Sequence, residues 1–505
     1  MTHTRKNEGV NVTVNGRQVS ASPHKTLAEI AGIDRPCGGG GRCGKCKVVA
    51  RGELSPLTDS ERALLTPEEL ERGVRLACST RPLGDCEIFT ETHKGDLILG
   101  ASGDMSDIDP TLDGGYAIAI DIGTTTIATA LYGADGGLLA EASRLNPQGR
   151  WGADVISRVE SALAGHHREL TESVRWAIDE LIDELGQRSA VNTAEASRCV
   201  ITGNTVMLSL LTGESVEPFS HAPFAPNRLF GESVEASELG LSALDPHTRV
   251  YLPPAISAFV GSDLTCALLA CGDLDKGTAL LVDAGTNGEM ALWHEGRLAV
   301  CSVAAGPALE GVGISCGMRA STGAVDRVEV RDGKLAVHII GEGDARGICG
   351  SGLIDAASCM LKLDIVDDGG YMEDEECQLC PGVTLTQRDI RTLQLAKSAI
   401  CAGILTLTEE EGLPTDAPRT LYLAGGLGSS LDPNSAGDVG LIPTALTHRI
   451  RPIGNAALTG AAMLALDPDL TATAENLVKR ATLRDLSTNP TFTDRFTMGM
   501  ILESV

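Results

Sequence analysis

Four cysteines and two aspartate-ended turns are the residues of this chain best equipped for chemistry. Cys37, Cys43 and Cys46 stand in CGGGGRCGKC and Cys78 in RLACSTRP, so the spacing is C-x5-C-x2-C, 31 intervening residues, then C. An iron–sulfur cluster needs soft thiolates, and a glycine-rich loop can wrap it closely and aim N–H groups at its sulfurs. The C-x2-C pair alone would also suit zinc or a redox dithiol, but a remote single cysteine departs from the paired knuckles of a zinc site. The second chemistry lies in LVDAGTNGE, Leu281 to Glu289, and in the earlier IAIDIGTTT, Ile118 to Thr126. In each, an apolar run ends in an Asp followed by x-Gly-Thr. The glycines Gly123, Gly285 and Gly288 let backbone N–H groups approach an anion, and Thr124, Thr125, Thr126, Thr286, Asn287 and Glu289 add polar groups. Asp121 and Asp283 can each hold a hydrated Mg²⁺, which prefers carboxylate plus water. One such turn is a weak signal; two that face each other would grip a single nucleotide from both sides.

The elements that must position these residues can be read from periodicity. Asn11 to Ala21 alternates around Asn15-Gly16, a hairpin signal, and Thr26 to Ile33 follows as a short helix. Gly95 to Gly115 is acidic and broken by Gly and Pro, which predicts a flexible connection. Each aspartate turn is followed by a hairpin, the first turning at Gly133 to Gly137 and the second at Glu295-Gly296. Ala153 to Gly186 carries a helical repeat, and Val200 to Gly213 reads as strand, turn and helix. The Gly-rich phrases AAGPALEG, with Gly306, and ICGSGLID, with Gly350, lead into helices whose N-termini would meet phosphate. Thr386 to Glu411 is a long helix opened by a Thr386/Asp389 capping box. LYLAGGLGSS, with Gly425 and Gly426, is a strand running into Gly-Gly, and Gly454 to Leu466 is a buried helix of small residues.

The bulk properties exclude other classes. A formal charge of −27 repels nucleic acid and anionic membrane. No uninterrupted apolar run reaches the roughly 18 residues of a spanning helix, and MTHTRKNEG lacks the apolar core of a signal peptide. Fifteen cysteines in such a chain point to reduced thiols or metal ligands in a cytoplasmic protein. Cys86 falls outside the four-cysteine pattern and reads as a core residue. His166 and His167 read as solvated, and Cys377 and Cys380, lacking a second pair, as ordinary thiols.

Two resemblances follow from these motifs. Residues 1–94 resemble a β-grasp [2Fe–2S] ferredoxin, closer to the adrenodoxin-like x5 spacing than to the plant x4 spacing. Residues 116–505 resemble the two-lobed superfamily of acetate and sugar kinases, Hsp70 and actin, with lobes at 116–275 and 276–505. The first phosphate loop is then Asp121 to Thr126, the second Asp283 to Glu289, and the adenosine turn Ala424 to Gly428. The fold expected is thus α+β joined to α/β. More narrowly, NPQGRWGADVISR (Asn146 to Arg158), GNTVM, DAGTNGE, AGPALEG and ICGSGLID, in that order behind a ferredoxin segment, resemble the ATP-dependent reductive activators of corrinoid enzymes.

That resemblance implies one-electron reduction of cob(II)alamin to cob(I)alamin on a corrinoid protein of a methyltransferase system. It implies a [2Fe–2S] cluster on Cys37, Cys43, Cys46 and Cys78, and ATP with Mg²⁺ near Asp121 and Asp283. An upstream low-potential electron donor and a homodimer formed through the ATPase domain belong to the same expectation. Longer members carry a further domain that residues 95–115 leave no room for, and Ser209 stands where relatives often place His. Other readings are an electron donor to a different low-potential metalloenzyme, with Cys301, Cys316 and Cys349 as conceivable extra ligands, a small-molecule kinase, and an ATP-sensing scaffold.

Overall fold

The computed structural model describes residues 10–89 apart from 15, 16, 32, 34–40, 42, 43 and 45, then 105, 108–112, and 114–505 apart from 273, 428 and 429. The chain forms two compact units, residues 1–94 with 145–173, and residues 95–144 with 174–505.

In the first unit a five-stranded sheet runs in the order Arg17–Ala21, Val10–Val14, Pro82–Phe89, Lys47–Leu54, Val74–Leu76. Val10–Val14 pairs antiparallel with Arg17–Ala21 in a register that leaves two residues for the turn, as Asn15-Gly16 requires. It also lies parallel to the late strand Pro82–Phe89, so the sheet closes from both ends of the segment, the β-grasp arrangement. The helix expected over Thr26 to Ile33 is shorter, Leu27–Ala31. Val12, Leu27, Val48, Ala50, Leu76 and Ile88 form the core, and Cys86 belongs to it as a buried thiol whose pKa burial raises. The Gln148 and Arg158 side chains of NPQGRWGADVISR are both buried. Arg158 donates to the Gly152 carbonyl and to Gln148, and Gln148 donates to the Leu170 carbonyl. The long helix expected over Ala153 to Gly186 breaks at Gly165, whose φ of 106° no helix tolerates; Val155–Ser161 and His167–Ser189 flank the break. His166 is exposed there.

The second unit repeats one plan twice. Tyr116–Ile122 pairs antiparallel with Thr126–Gly133 and parallel with Ala196–Gly203. Ala279–Ala284 pairs antiparallel with Gly288–His294 and parallel with Thr420–Ala424. Each set sits centrally in its own six-stranded sheet. The hairpin at Glu295 (φ 48°) and Gly296 (φ 79°) has both central residues left-handed, the type I′ geometry that matches strand twist.

Ala456–Leu466 is buried at every position. A Cβ on Gly460 would come within 1.9 Å of the Cys266 carbonyl, so only small residues let this helix approach Ser262–Ala270. Gln387–Glu410 is long and apolar enough to cross a membrane, but 78% of its apolar window is buried in the fold; it is a core helix, opened by the expected Thr386/Asp389 box.

Three expectations change. Around residue 110 the chain is no free tether. Met105, Ile108 and Leu112 pack on the core containing these helices, and the Thr111 N–H donates to the Leu466 carbonyl at 3.0 Å. AAGPALEG leads only into a four-residue 3-10 turn, Pro307–Glu310, because Gly311 (φ 76°) ends it. Ser209 is buried with its hydroxyl on the Thr205 carbonyl at 2.8 Å, so it offers no surface to a partner.

Candidate functional site

Of the four spaced cysteines, Cys46 and Cys78 lie within the described residues, and Cys37 and Cys43 outside them. Cys46 precedes Lys47–Leu54, Cys78 follows Val74–Leu76, and these two strands pair, so residues 32 positions apart in sequence meet. The Cys78 N–H points at the Cys46 sulfur at 3.5 Å. That thiol neighbour, opposed by burial and helped by Ser79 and the Gly41 N–H, pulls the Cys78 pKa down to about 6. A thiolate ligand is therefore available at neutral pH. Gly41 has φ +62°, and a Cβ there would lie 2.9 Å from Ser60 Oγ, so the backbone at this glycine passes close to Ser60. The Cys78 turn is anchored by one buried carboxylate. Glu61 Oε1 accepts from Arg75 Nε (2.8 Å), Thr80 Oγ1 (2.9 Å) and the Leu76 N–H (3.1 Å). Two close, buried thiols, with the Cys78 thiol made acidic, fit the donor set of a cluster.

The two aspartate turns meet in the second unit, where they line a cavity of about 190 Å³. From the sequence-predicted set it gathers Asp121, Gly123, Thr124, Thr125, Thr126, Asp283, Gly285, Thr286, Asn287, Glu289, Gly350, Gly425 and Gly426. Gly288 and Gly306 are not on its wall. Gly288 is a packing glycine whose Cβ would strike Ile400 Cδ1 at 2.4 Å; the Gly306 N–H braces the Thr286 carbonyl from behind at 2.9 Å. Gly425 (φ +89°) could carry no side chain, since a Cβ would meet Asp283 Oδ1 at 2.9 Å.

Sequence reasoning passed over six polar residues that complete the wall: Asn204, Asp263, Glu310, Arg319, Ser351 and Asn455. Asn204 and Asn455 had a readable signal. Each follows a glycine at a strand end and caps a buried helix, and Asn455 Nδ2 also donates to Asp121 Oδ2 at 3.1 Å. Thr286 Oγ1 donates to Glu310 Oε1 at 2.8 Å, and Arg319 Nη2 donates to the Thr125 carbonyl at 2.9 Å.

The carboxylates here strain against one another. Burial first, then the Asp263 charge, pushes Asp121 up to about 8 in spite of Asn455; burial, Asp263 and Glu310 push Asp283 up to about 7; burial lifts Asp263 to about 6. Glu289 is raised well above the usual carboxylate range, by burial and then by Asp263 and Asp283. A divalent cation relieves this repulsion directly. Asn204 lines the cavity with its Nδ2 buried and without a protein partner, a donor that an anion's oxygen would satisfy. Acidic residues for a cation, together with glycine turns, hydroxyls and an orphaned donor for phosphate, fit Mg²⁺ with a nucleotide.

Family-level comparison sharpens this chemistry. Residues 10–83 match the 2Fe-2S iron-sulfur cluster binding domain, 116–276 the RACo middle region, and 277–505 the C-terminal domain of RACo, the ASKHA domain. The chain is 30% identical to the corrinoid activation enzyme RamQ of Eubacterium limosum, over 76% of its own length and 70% of that protein's. The chain belongs to the reductive activators of corrinoid proteins. Within this activator family it is 27% identical to the [Co(II) methylated amine-specific corrinoid protein] reductase of Methanosarcina barkeri, over 77% and 78% of the two chains. A solved structure, the reductive activator for corrinoid, iron-sulfur protein, superposes with a TM-score of 0.74 at 27% identity and 98% coverage of both chains.

Among the described residues the activator's other cysteines are not gathered into one group. Cys301 is buried in the core, Cys316, Cys377 and Cys380 are half-buried, and Cys349 sits in the nucleotide wall. Among the described residues no three His, Cys, Asp or Glu side chains are placed for direct ligation of a metal, so a Mg²⁺ at Asp121 and Asp283 would be held through water.

Proposed function

We propose that this chain uses ATP to drive one-electron reduction of cob(II)alamin to cob(I)alamin on a corrinoid protein of a methyltransferase system. The observation that carries the reading is a ferredoxin-type ligand loop and a two-turn nucleotide cavity on one chain that is 30% identical to a corrinoid activation enzyme. A [2Fe–2S] cluster on Cys37, Cys43, Cys46 and Cys78 stores the electron, taken from an upstream low-potential donor. Such clusters lie near −400 mV, and each 59 mV of uphill transfer costs about a factor of ten for one electron. ATP assists only if it is bound differently by the two states of the complex with the corrinoid protein.

The residues divide the work. Asp121 and Asp283 orient the hydrated Mg²⁺, and Asp263 is close enough to share its charge. Thr124, Thr125 and Thr126, with Thr286, Asn287 and the Gly285 backbone, hold phosphate oxygens. Gly425 and Gly426 leave room for the adenosine. Gly350, opening the helix Gly350–Lys362, adds N–H groups to the wall. We place the domains at 1–94 for the ferredoxin, 95–115 for the connection, and 116–275 and 276–505 for the two ATPase lobes. A cytoplasmic homodimer joined through the ATPase domain completes the proposal.

The test is anaerobic visible spectroscopy of the reduced protein with a cob(II)alamin-loaded corrinoid protein from the same organism. A cob(I)alamin band that appears only with Mg·ATP supports the reading. An intact cluster signal without that band, across every corrinoid protein of that organism, would shift the electron acceptor to another metalloenzyme.

A further inference from the structure

The nucleotide cavity is lined by five acidic side chains, Asp121, Asp263, Asp283, Glu289 and Glu310, and among its described lining residues Arg319 is the one basic group. A nucleoside triphosphate brings about four further negative charges. One Mg²⁺ held at the carboxylates neutralises only part of them, so the phosphate farthest from the adenosine turn needs a cation of its own. Arg319 is fixed on that side. Its Nη2 donates to the carbonyl of Thr125, inside the first phosphate turn, at 2.9 Å. The adenosine turn Gly425–Gly426 lies instead beside Asp283, where a Cβ on Gly425 would meet Oδ1.

The segment carrying Arg319 is rigidly tied. The Met318 N–H donates to the Ile348 carbonyl at 2.9 Å, and the Ile348 N–H donates to the Cys316 carbonyl at 2.8 Å. The guanidinium is thus delivered to the phosphate turn from the other half of the unit, on a segment braced by the strand that leads into Gly350. A planar fork of N–H donors suits phosphate oxygens two at a time, and Lys cannot reproduce it.

We propose that Arg319 binds the terminal phosphate and makes the cavity discriminate a triphosphate from a diphosphate. The inference rests on the nucleotide reading of the site. Arg319 also joins the terminal phosphate to Thr125 of the other half, adding to the contact the two already make.

The test is isothermal titration of the full-length protein with ADP and with a non-hydrolysable ATP analogue, both in excess Mg²⁺, for the parent, Arg319→Gln and Arg319→Lys. Loss of a charge-assisted bidentate contact weakens binding by about 10- to 100-fold. Arg319→Gln should lose that much for the ATP analogue while ADP stays within about threefold, which also shows that the variant is folded. Arg319→Lys should recover only part of the loss. Equal losses on both nucleotides, or none on either, would overturn the Arg319 assignment and leave the nucleotide site standing. A parent that binds neither nucleotide would sink both.

Discussion

The loop that presents Cys78 hangs on Glu61, and replacing that side chain should release it. Glu61 is fully buried, with its two oxygens taking six hydrogen bonds. Oε2 accepts from the Thr58 N–H (2.9 Å), Thr58 Oγ1 (3.1 Å) and Arg75 Nη2 (3.2 Å), and Oε1 holds Arg75 Nε, Leu76 N–H and Thr80 Oγ1. Burial alone would raise its pKa, yet Arg75, Thr58, Thr80 and Leu76 together bring it from 4.5 down to about 2. That drop is worth about 3 kcal/mol of stability. The sign follows from a depressed carboxylate: the contribution is complete above about pH 4.5 and is lost as the pH falls towards about 2. Glu61→Gln at neutral pH removes the charge and turns one acceptor into a donor facing Arg75 and Thr58, so a loss of about 3 kcal/mol is expected. For a unit of this size that lowers the transition by about 10–20 °C. The assay is the temperature at which the visible absorption of the cluster bleaches in the full-length holoprotein, under anaerobic conditions. Glu69→Gln is the control, because its ion pair with Lys47 is partly exposed and worth at most about 1 kcal/mol. If Glu61→Gln bleaches within a few degrees of the parent and of Glu69→Gln, the carboxylate does not hold the Cys78 turn.

Further outcomes follow from the same geometry. Cys78→Ser should abolish the cluster, seen as lost iron and visible absorption, while ATP-analogue affinity stays unchanged. Asp283→Ala should lower ATP-dependent cob(I)alamin formation at least about 100-fold; reduction at the parental rate would break the link between nucleotide and electron. Gly425→Ala places a Cβ at positive φ and 2.9 Å from Asp283 Oδ1, so nucleotide affinity should fall at least tenfold by titration, about 1.4 kcal/mol. Lys397 is fully buried, donates to the Ile501 carbonyl, and is held down to about 8 by burial. A depressed lysine penalises folding below its folded pKa, and the penalty fades as the pH rises to its unfolded value. Relative to Lys397→Met, the parent should therefore gain about 2–3 kcal/mol in urea stability between about pH 7 and about pH 10; a flat difference would mean the lysine is not desolvated.

What the sequence disclosed and what it hid divide along a physical line. Backbone-encoded features were open to reading. Glu295-Gly296 marks a hairpin because left-handed φ has few tenants, and Ala456–Leu466, apolar and rich in small residues, declares its own burial. The fold as a whole, a β-grasp unit joined to a duplicated α/β ATPase, was legible from the order of such elements. The aspartate turns were legible because a strand that ends in Asp-x-Gly-Thr repeats. Asp263 and Arg319 were not, since each comes from a segment with no local signature and acquires meaning only by where tertiary packing delivers it. Gly288 and Gly306 erred in the opposite way: both are glycines in the right phrases, but one makes room for Ile400 and the other braces Thr286. The docking of residues around 110 was masked by their Gly, Pro and Asp content, although Met105, Ile108 and Leu112 already stood at spacings suited to one face.

The cavity's electrostatics suggest why a nucleotide, rather than a corrinoid or an electron, is the natural trigger. Asp121 belongs to the first half of the ATPase and is bonded to Asn455 of the second; Arg319 of the second half is bonded to Thr125 of the first. Each half therefore carries into the cavity a group whose partner lies on the other. With Asp121 pushed up to about 8 and Asp283 to about 7, the site favours protons near neutrality, and each added negative charge costs more than the last. A cation bound with its polyphosphate relieves the repulsion between Asp121 and Asp283, displacing protons from them, and gives Arg319 an anion to face. Binding energy is then drawn from groups on both halves at once, which makes nucleotide affinity depend on how the halves sit. By reciprocity, if the nucleotide changes the affinity for a docked corrinoid protein by some factor, that protein must change nucleotide affinity by the same factor.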